Sequence, residues 1–446
     1  MKRTTKVNEW SAKPDEALER EVWKAYGAVS TPLEIVDFMI EVSDVEKWEG
    51  LSILEPGCGF CSFLIRIYEK HPYNEFTGVE IHPSIYDKIT RLYPQFNLVL
   101  ADFLLWNTDK RYDIVIGNPP YGIIGDKSHY PIHVLKERKA TYKKLYSTWF
   151  GKYNIYGAFI EKGIKILKDK GRLVFIVPAT FMILDDFKFL RKFLSIYGRV
   201  KVFYLGPQVF KDKNVSTAIL VVCKGLRGIE LYEVKDLKLR KIIHYYSKDS
   251  YDGDIIKFDS PETQRFEEGA PLLADFFSFH FAARSPEVKK HPLVSQEPKV
   301  GLVPILTGRN LHPGWIDYEH CYSNLWMPKE AAPSLRSFYA FPHIVVGHTK
   351  GGRLVAAIDK RCYPWREEIH LVPKIAGLDL EAITSYLNSE PVQQYLRMIY
   401  KEITPHITIT QLKRLPVRIP ICNKTNKTLS EFMEKKKEIK VSSSEV

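Results

Sequence analysis

From Leu51 onward the chain alternates short, continuous apolar runs with longer runs in which apolar positions recur at helical spacing. A continuous apolar run fits a strand covered on both faces, and the helical spacing fits a helix with one buried face. This pattern predicts strands at 51–54, 76–79, 98–100, 112–116, 172–177, 200–205 and 217–222. It predicts helices at 60–68, 83–92 and 158–167, the last with Phe159, Ile160, Ile164 and Leu167 apolar and Gly171 as its cap. Strand–helix alternation over such a length implies a doubly wound α/β sheet dominated by parallel pairs.

The alternation stops near Gly225. Beyond it the strands are shorter and irregularly spaced, and aromatic, Pro and His residues are frequent, as in an α+β domain. The domain boundary falls between Gly225 and Asp254 and is drawn at residue 240. This gives a first domain 1–240, a second domain 241–422 and a Lys-, Glu- and Ser-rich tail 423–446 that frays. A chain of 446 residues accommodates this division.

Charge narrows the partner. Lys and Arg number 65 against 53 Asp and Glu, a formal net charge of +12. That excess points to a polyanion, with nucleic acid ahead of a membrane surface, although a basic surface that binds nothing is the plain alternative. The six Cys are too few for a disulfide framework in a chain of this size. Cys58 and Cys61 form a C-x-x-C without a second pair, so no metal site is expected, and reduced thiols fit a cytoplasmic protein. Met1–Lys6 is followed by no apolar stretch, which argues against a signal peptide. The most apolar segment, Leu173–Leu184, is too short for a span of about 20 residues, so no membrane is expected.

The candidate chemistry lies at the strand ends. The first strand runs into Glu55-Pro56-Gly57-Cys58-Gly59. Ligands bind outside the carboxyl ends of strands in doubly wound sheets, and glycines there allow backbone to approach a ligand closely. With Ser62 in place of the third glycine, the loop departs from a dinucleotide fingerprint, and Glu55 suits a cationic group such as an amino acid's ammonium. The second strand ends in Glu80-Ile81, where an acid accepts from ribose hydroxyls. The third ends in Ala101-Asp102-Phe103. Asp102 can accept from an exocyclic amine while Ile81 and Phe103 pack on its ring. Each acid alone reads as a helix cap. Three at successive strand ends point to a nucleoside cofactor.

The fourth strand ends in Asn118-Pro119-Pro120-Tyr121. Pro120 stiffens the loop and biases Pro119 toward extended geometry. The Asn118 side-chain oxygen and the Pro119 carbonyl can accept from one incoming amino group, and Tyr121 offers a stacking face. Such an arrangement suits a planar aromatic amine. Its lone pair is delocalised into the ring, and two acceptors draw the nitrogen toward a tetrahedral, nucleophilic form.

This tetrad after a glycine-loop α/β domain resembles the amino-methyltransferases that use S-adenosylmethionine. Further segments resemble the TaqI-type, gamma-class adenine-N6 DNA methyltransferases of type II restriction–modification systems. They are Ser30-Thr31-Pro32, Ala101–Trp106, Tyr130–Val134 and Tyr153–Phe159 and, in the second domain, Phe281–Pro286, Leu306–Leu311, His348–Gly351 and Tyr363–Glu368. The resemblance covers roughly Ser30 to Pro420 and includes a DNA-recognition domain. It implies a mixed, doubly wound methyltransferase sheet. It also implies that Thr31, Glu55, Pro56, Gly57, Cys58, Glu80, Ile81, Asp102, Phe103, Pro120 and Phe159 bind S-adenosylmethionine. Asn118, Pro119 and Tyr121 form the catalytic loop, and Phe210 contacts the extruded base together with Tyr121. Two departures stand out: Gly57-Cys58-Gly59 is unusually glycine-rich, and one extra residue near Pro207-Gln208 shifts the register at Phe210.

The family further implies double-stranded DNA as partner, a monomer, a separately encoded cognate restriction endonuclease, and a short palindromic site, TCGA, methylated on its adenine. The base must be flipped from the duplex, which costs a few kcal/mol. Arg284, Lys289, Lys290, Arg309, Lys350, Arg353, Arg366 and Arg397 are the basic residues expected to contact DNA. Two other functions share some of these features. One is an amino-methyltransferase acting on RNA or on a protein glutamine, and the other is a DNA-binding subunit without catalysis.

Overall fold

The computed structural model describes residues 30–125, 131–132, 134–207, 209–210, 215–347 and 353–420. Lys350 and its segment His348–Gly351, Tyr130, His133, Gln208, Lys211, Met1–Lys6 and the tail 423–446 lie outside the described residues. The chain divides into two compact units, one running to Phe258 and one beginning at Asp259.

In the first unit the strands are β1 (Ser52–Pro56), β2 (Glu75–Glu80), β3 (Asn97–Leu100), β4 (Tyr112–Gly117), β5 (Leu167–Pro178), β6 (Gly198–Gly206), β7 (Thr217–Lys224), β8 (Ile229–Asp236) and β9 (Lys241–Lys248). Among the described residues they form one sheet in the order β9-β8-β6-β7-β5-β4-β1-β2-β3. The pairs from β3 through β2, β1 and β4 to β5 are parallel. β7 runs antiparallel between β5 and β6, so the sheet is mixed. The central apolar runs are buried as their composition requires, with Ile53, Leu54, Val115 and Ile116 all fully inaccessible.

The helices are α1 (Leu33–Glu41), α2 (Ser62–Lys70), α3 (Pro83–Leu92), α4 (Lys139–Leu145), α5 (Tyr156–Lys165) and α6 (Lys188–Tyr197). α2 turns Phe63, Leu64, Ile65 and Ile67 inward, and Pro83 opens α3, where its missing N–H costs nothing.

Two expectations change. The first unit extends past residue 240, because β9 pairs antiparallel with β8 and closes the sheet's edge. β9 is an edge strand with largely exposed residues, so it has no continuous apolar run to mark it. Gly171 does not cap a helix either. α5 ends at Lys165, and Gly171 lies inside β5. A Cβ there would come within 2.9 Å of the Lys168 carbonyl oxygen and 3.1 Å of those of Asp113 and Tyr112, so the glycine serves a close backbone approach.

The second unit is built on an antiparallel sheet of β10 (Phe277–Phe281), β11 (His343–Gly347), β12 (Val355–Asp359) and β13 (Ile369–Pro373), in the order β10-β13-β11-β12. Ile305, Leu306, Leu311, Met327, Tyr339, Val345 and Trp365 fill its core. Among the described residues, no helix is long and apolar enough to cross a membrane.

Candidate active site

β1 and β4 are adjacent, and the chain continues from β1 to one side of the sheet and from β4 to the other. The crevice outside the carboxyl ends of such a pair is where open α/β sheets bind ligands. Gly57 sits there at φ +63, a left-handed conformation that suits glycine. A Cβ built on it would lie 3.7 Å from the Phe159 ring and 3.8 Å from that of Pro120, so the β1 turn, the β4 loop and α5 converge.

The acids have two functions. Glu55 is buried, and its Oε2 accepts from the Leu64 N–H in the first turn of α2 at 3.1 Å. Burial lifts its carboxyl to about 8 against the backbone hydrogen bonds from Leu64 and Phe63, so it holds a proton at neutral pH. Glu80 accepts from Gly59 N–H through Oε2 and from His82 N–H through Oε1, each at 2.8 Å, and burial raises it as well. Both acids therefore do cap local backbone, as each would alone. An ionised carboxylate has about four acceptor sites, so Glu80 when ionised, and Glu55 once its proton is lost, keep capacity for a ligand.

Pro56 is buried and Ile81 half-buried beside these acids. Cys58 binds the loop to β2 through its N–H to the Val79 carbonyl at 3.0 Å. Its hydrogen bond with Cys61 and its burial push the Cys58 thiol well up, which removes it as a nucleophile.

Asp102 follows β3. Its Oδ1 accepts from Leu104 N–H at 3.0 Å, and its Oδ2 accepts from the Tyr142 hydroxyl at 2.5 Å and from Arg138 at 2.8 Å. The Phe103 ring lies 5.0 Å from that of Phe159, tilted by 36°. The Lys162 ammonium donates to the Phe103 and Trp106 carbonyls, and burial draws it down to about 8 against the pull of Asp102. The Tyr146 hydroxyl donates to the Leu104 carbonyl at 2.5 Å. Sequence reasoning missed Arg138, Tyr142, Tyr146 and Lys162. The available signal was the spacing of the first three, one helical turn apart on one face of α4 and its flanks.

In the turn after β4, Asn118 donates through Nδ2 to the Thr31 hydroxyl at 3.0 Å, and Pro119 is buried. Tyr121 is also buried and donates to the Ile176 carbonyl of β5 at 2.9 Å. The Asn154 side chain accepts from Gly122 N–H at 2.9 Å, anchoring the loop's exit to the start of α5. Phe210 lies beside Tyr121. The rings meet edge to face at 6.1 Å and 70°, each covering the other's apolar surface.

In the second unit three separated motifs are joined by backbone. Ala283 bridges to Arg366, Leu306 bridges to Trp365, and the Arg366 N–H donates to the Leu306 carbonyl at 2.9 Å. The Tyr339 hydroxyl donates to the Trp365 carbonyl at 3.0 Å and accepts from Ala283 N–H at 3.3 Å. Buried Asp359 accepts from Trp365 Nε1 at 2.9 Å and from the backbone of Arg361, Cys362 and Tyr363, which fixes the turn before Arg366. This junction presents Arg284 and Arg309 exposed and Arg366 half-buried, its guanidinium 3.5 Å from the Ser285 hydroxyl. Lys289, Lys290 and Arg353 are exposed. Arg397 is paired with Glu390 within one helix, Glu390–Tyr400.

Residues 303–417 match the TaqI-like C-terminal specificity domain, and residues 67–210 match the Eco57I restriction-modification methylase family. The chain is 48% identical to the type II methyltransferase M.TthHB8I of Thermus thermophilus over 89% of its own length and 92% of that protein. It is 27% identical to the modification methylase CviBIII of a Paramecium bursaria Chlorella virus, over 55% of this chain and 62% of the other. Among solved structures, the DrdV–DNA complex superposes with a TM-score of 0.53 at 14% identity, covering 82% of this chain and 50% of that one, a likeness of fold. The chain therefore belongs to the type II restriction–modification methyltransferases, enzymes dependent on S-adenosylmethionine, with a TaqI-like specificity domain.

Proposed function

We propose that this enzyme transfers a methyl group to the N6 amine of a flipped-out adenine in a short palindromic duplex site. The observation that carries this reading is the Asn118–Tyr121 turn at the end of β4, with Phe210 against the Tyr121 ring. The donor set fits the cofactor. Glu55 suits the ammonium, Glu80 the ribose hydroxyls, and Asp102 with Phe103 the adenine. Gly57, at φ +63 beside Phe159 and Pro120, supplies the left-handed turn that brings the loop backbone to the site. Thr31, Pro56, Cys58 and Ile81 complete the lining. When bound, S-adenosylmethionine supplies a methyl group on a positively charged sulfur.

Asn118 Oδ1 and the Pro119 carbonyl accept the two N6 hydrogens and free the nitrogen lone pair for in-line attack. As the N6–carbon bond forms and the carbon–sulfur bond breaks, the same acceptors hold the positive charge on N6, whose surplus proton leaves to water. Tyr121 stacks on the base, Phe210 meets its edge, and orientation supplies most of the rate. The arginines of the second unit select the site. TCGA is the proposed sequence, from the resemblance of the second domain to the TaqI type. The enzyme acts as a cytoplasmic monomer beside a separately encoded nuclease.

The test offers labelled S-adenosylmethionine with duplex DNA, RNA and protein side by side, then sequences the methylated bases. N6-methyladenine at TCGA is expected. Label in RNA or glutamine, or at cytosine, would overturn the reading.

A further inference from the structure

We propose that Tyr142 and Arg138 are positioning residues for the cofactor's adenine. Together they hold the Asp102 carboxylate so that the exocyclic amine is accepted through Oδ1. The inference rests on the reading that Asp102 receives the adenine, and it adds the residues that make Asp102 competent.

The hydrogen-bond inventory selects the oxygen. Tyr142 and Arg138 both donate to Oδ2, at 2.5 and 2.8 Å, which fills its two acceptor directions. Oδ1 receives the Leu104 N–H at 3.0 Å and keeps one direction for a ligand. Three bonds from three places fix the rotation of a carboxylate that would otherwise swing about its Cβ–Cγ bond. An amine then meets an acceptor already aimed, and little ordering cost falls on binding.

The grip extends to the whole turn. Arg138, Tyr142 and Tyr146 follow one another at intervals of one helical turn along α4 and its flanks, and Tyr146 bonds the Leu104 carbonyl at 2.5 Å. From α5, Lys162 holds the carbonyls of Phe103 and Trp106. α4 follows the catalytic loop in the chain, so the stretch after the target-amine acceptors also shapes the cofactor's acceptor.

The two positioning residues are unequal. Tyr142 is fully buried, with its ring stacked at 6.2 Å on Trp149, so its hydroxyl competes with no water. The Arg138 side chain is 44% exposed, and solvent weakens its bond. Tyr142 should therefore carry most of the effect.

The test uses calorimetry on the full-length enzyme with two ligands. One is S-adenosylhomocysteine. The other is its analogue with hydrogen in place of the 6-amino group. Tyr142→Phe keeps the ring and removes the hydroxyl. It should weaken S-adenosylhomocysteine by about tenfold, the order expected for losing one bond to a charged acceptor. Affinity for the analogue should stay within about twofold, because the analogue has no amine for Asp102 to accept. Arg138→Met should show the same selectivity with a smaller loss, Arg138→Lys should restore part of it, and either carries the test if Tyr142→Phe does not fold. Methylation should show a raised KM for S-adenosylmethionine with kcat preserved. Equal weakening of both ligands, or of neither, would overturn the proposal. Asp102→Ala separates it from the reading beneath. If Asp102→Ala weakens both ligands equally, or neither, both readings fall. If it weakens S-adenosylhomocysteine selectively and the Tyr142 and Arg138 variants do not, only the positioning role falls.

Discussion

Asn118 donates through Nδ2 to the hydroxyl of Thr31 at 3.0 Å, which joins the Ser30-Thr31-Pro32 motif to the catalytic loop. With the nitrogen end of the amide donating to Thr31, Oδ1 is the end proposed as acceptor for the target amine. On the proposed mechanism Thr31 would orient that acceptor, in addition to any contact with the cofactor.

Two substitutions should separate these functions. Asn118→Ala removes an acceptor aimed at developing charge and should lower kcat by roughly a hundred- to a thousandfold. Cofactor affinity should change little. Thr31→Val keeps the shape and loses one neutral hydrogen bond, so kcat should fall by about fivefold. Single-turnover rates at saturating cofactor and DNA measure both. Near-normal turnover by Asn118→Ala would defeat the acceptor mechanism.

Glu55 gives the cofactor site a defined pH dependence. Its carboxyl titrates at about 8 in the free enzyme because it is buried. An approaching ammonium favours the ionised form and lowers that value, so binding near neutral pH expels the Glu55 proton. Affinity for S-adenosylhomocysteine should therefore rise with pH toward about 8 and level off above it. Calorimetry in buffers of different ionisation enthalpy should show proton release at pH 7. Glu55→Gln should bind more weakly, and the proton release assigned to Glu55 should disappear. Unchanged release in that variant would assign the proton elsewhere.

How much of this was legible in the sequence follows from where its signals lie. β1, β2, β4, β5 and β7 are largely buried and their apolar runs show it, whereas β3 is a partly exposed edge strand. Glu55, Glu80, Asp102 and the Asn118–Tyr121 turn stand at strand ends, so locating the strands located them. β9 left a weaker mark, because it is an exposed edge strand held by backbone pairing to β8. Arg138, Tyr142 and Tyr146 read as an ordinary amphipathic stretch, since their partners are a carboxylate and a carbonyl distant in sequence. Asp359 was hidden likewise, because four of the groups that bond it lie in the following turn and no composition rule marks it.

The second unit should be acid-sensitive through a buried histidine pair. The Phe341 carbonyl, 2.8 Å from His343 Nδ1, requires that nitrogen to carry a proton, so neutral His343 accepts at Nε2 from His370 Nδ1 at 2.7 Å. His370 Nε2 is then a bare acceptor, buried and with no hydrogen-bond partner among the described residues. Burial pulls both rings below the usual histidine value. For His343, Asp359 opposes the shift and His280 adds to it. With depressed folded values, stability is full above about 6.5 and is lost as pH falls through that point, because the unfolded chain takes up protons first. Each histidine contributes about 1.4 kcal/mol per pH unit over that window. Thermal melting from pH 8 to 5 should show the fall, and His370→Phe should flatten it. A parallel curve for the variant would exclude the pair as its source.

The basic residues of the second unit should divide by their setting. Exposed Lys289 and Lys290 suit phosphate, and replacing either with Ala should reduce the slope of log affinity against log salt by about 0.9. Arg366 is half-buried and braced near Ser285, a setting suited to reading a base edge. Arg366→Ala should narrow the gap between cognate and altered sites by about 1–3 kcal/mol with little change in salt slope. A uniform loss across all sequences would reassign Arg366 to the backbone.

The contact between Tyr121 and Phe210 sets the last expectation. The rings meet at 6.1 Å and 70°, so an incoming adenine must exchange ring–ring contact for base–ring contact. Tyr121 is the fixed partner, because its hydroxyl is bonded to Ile176 on a central strand, and Phe210 is therefore the ring expected to shift. Tyr121→Ala should remove stacking worth about 1–3 kcal/mol and the loop's anchor as well, so its loss should exceed that of Phe210→Ala. Trp should be tolerated better than Ala at position 210, because it restores an aromatic edge. A fluorescent adenine analogue at the target position reports the exchange. It should brighten as it leaves the duplex stack and be quenched in part where an aromatic face covers it. In Phe210→Ala the analogue should emit more strongly than in the parent, since one neighbour is gone, while DNA affinity holds because phosphate contacts dominate it. If Phe210→Ala methylates and fluoresces like the parent, Phe210 only shields Tyr121 and takes no part in holding the base.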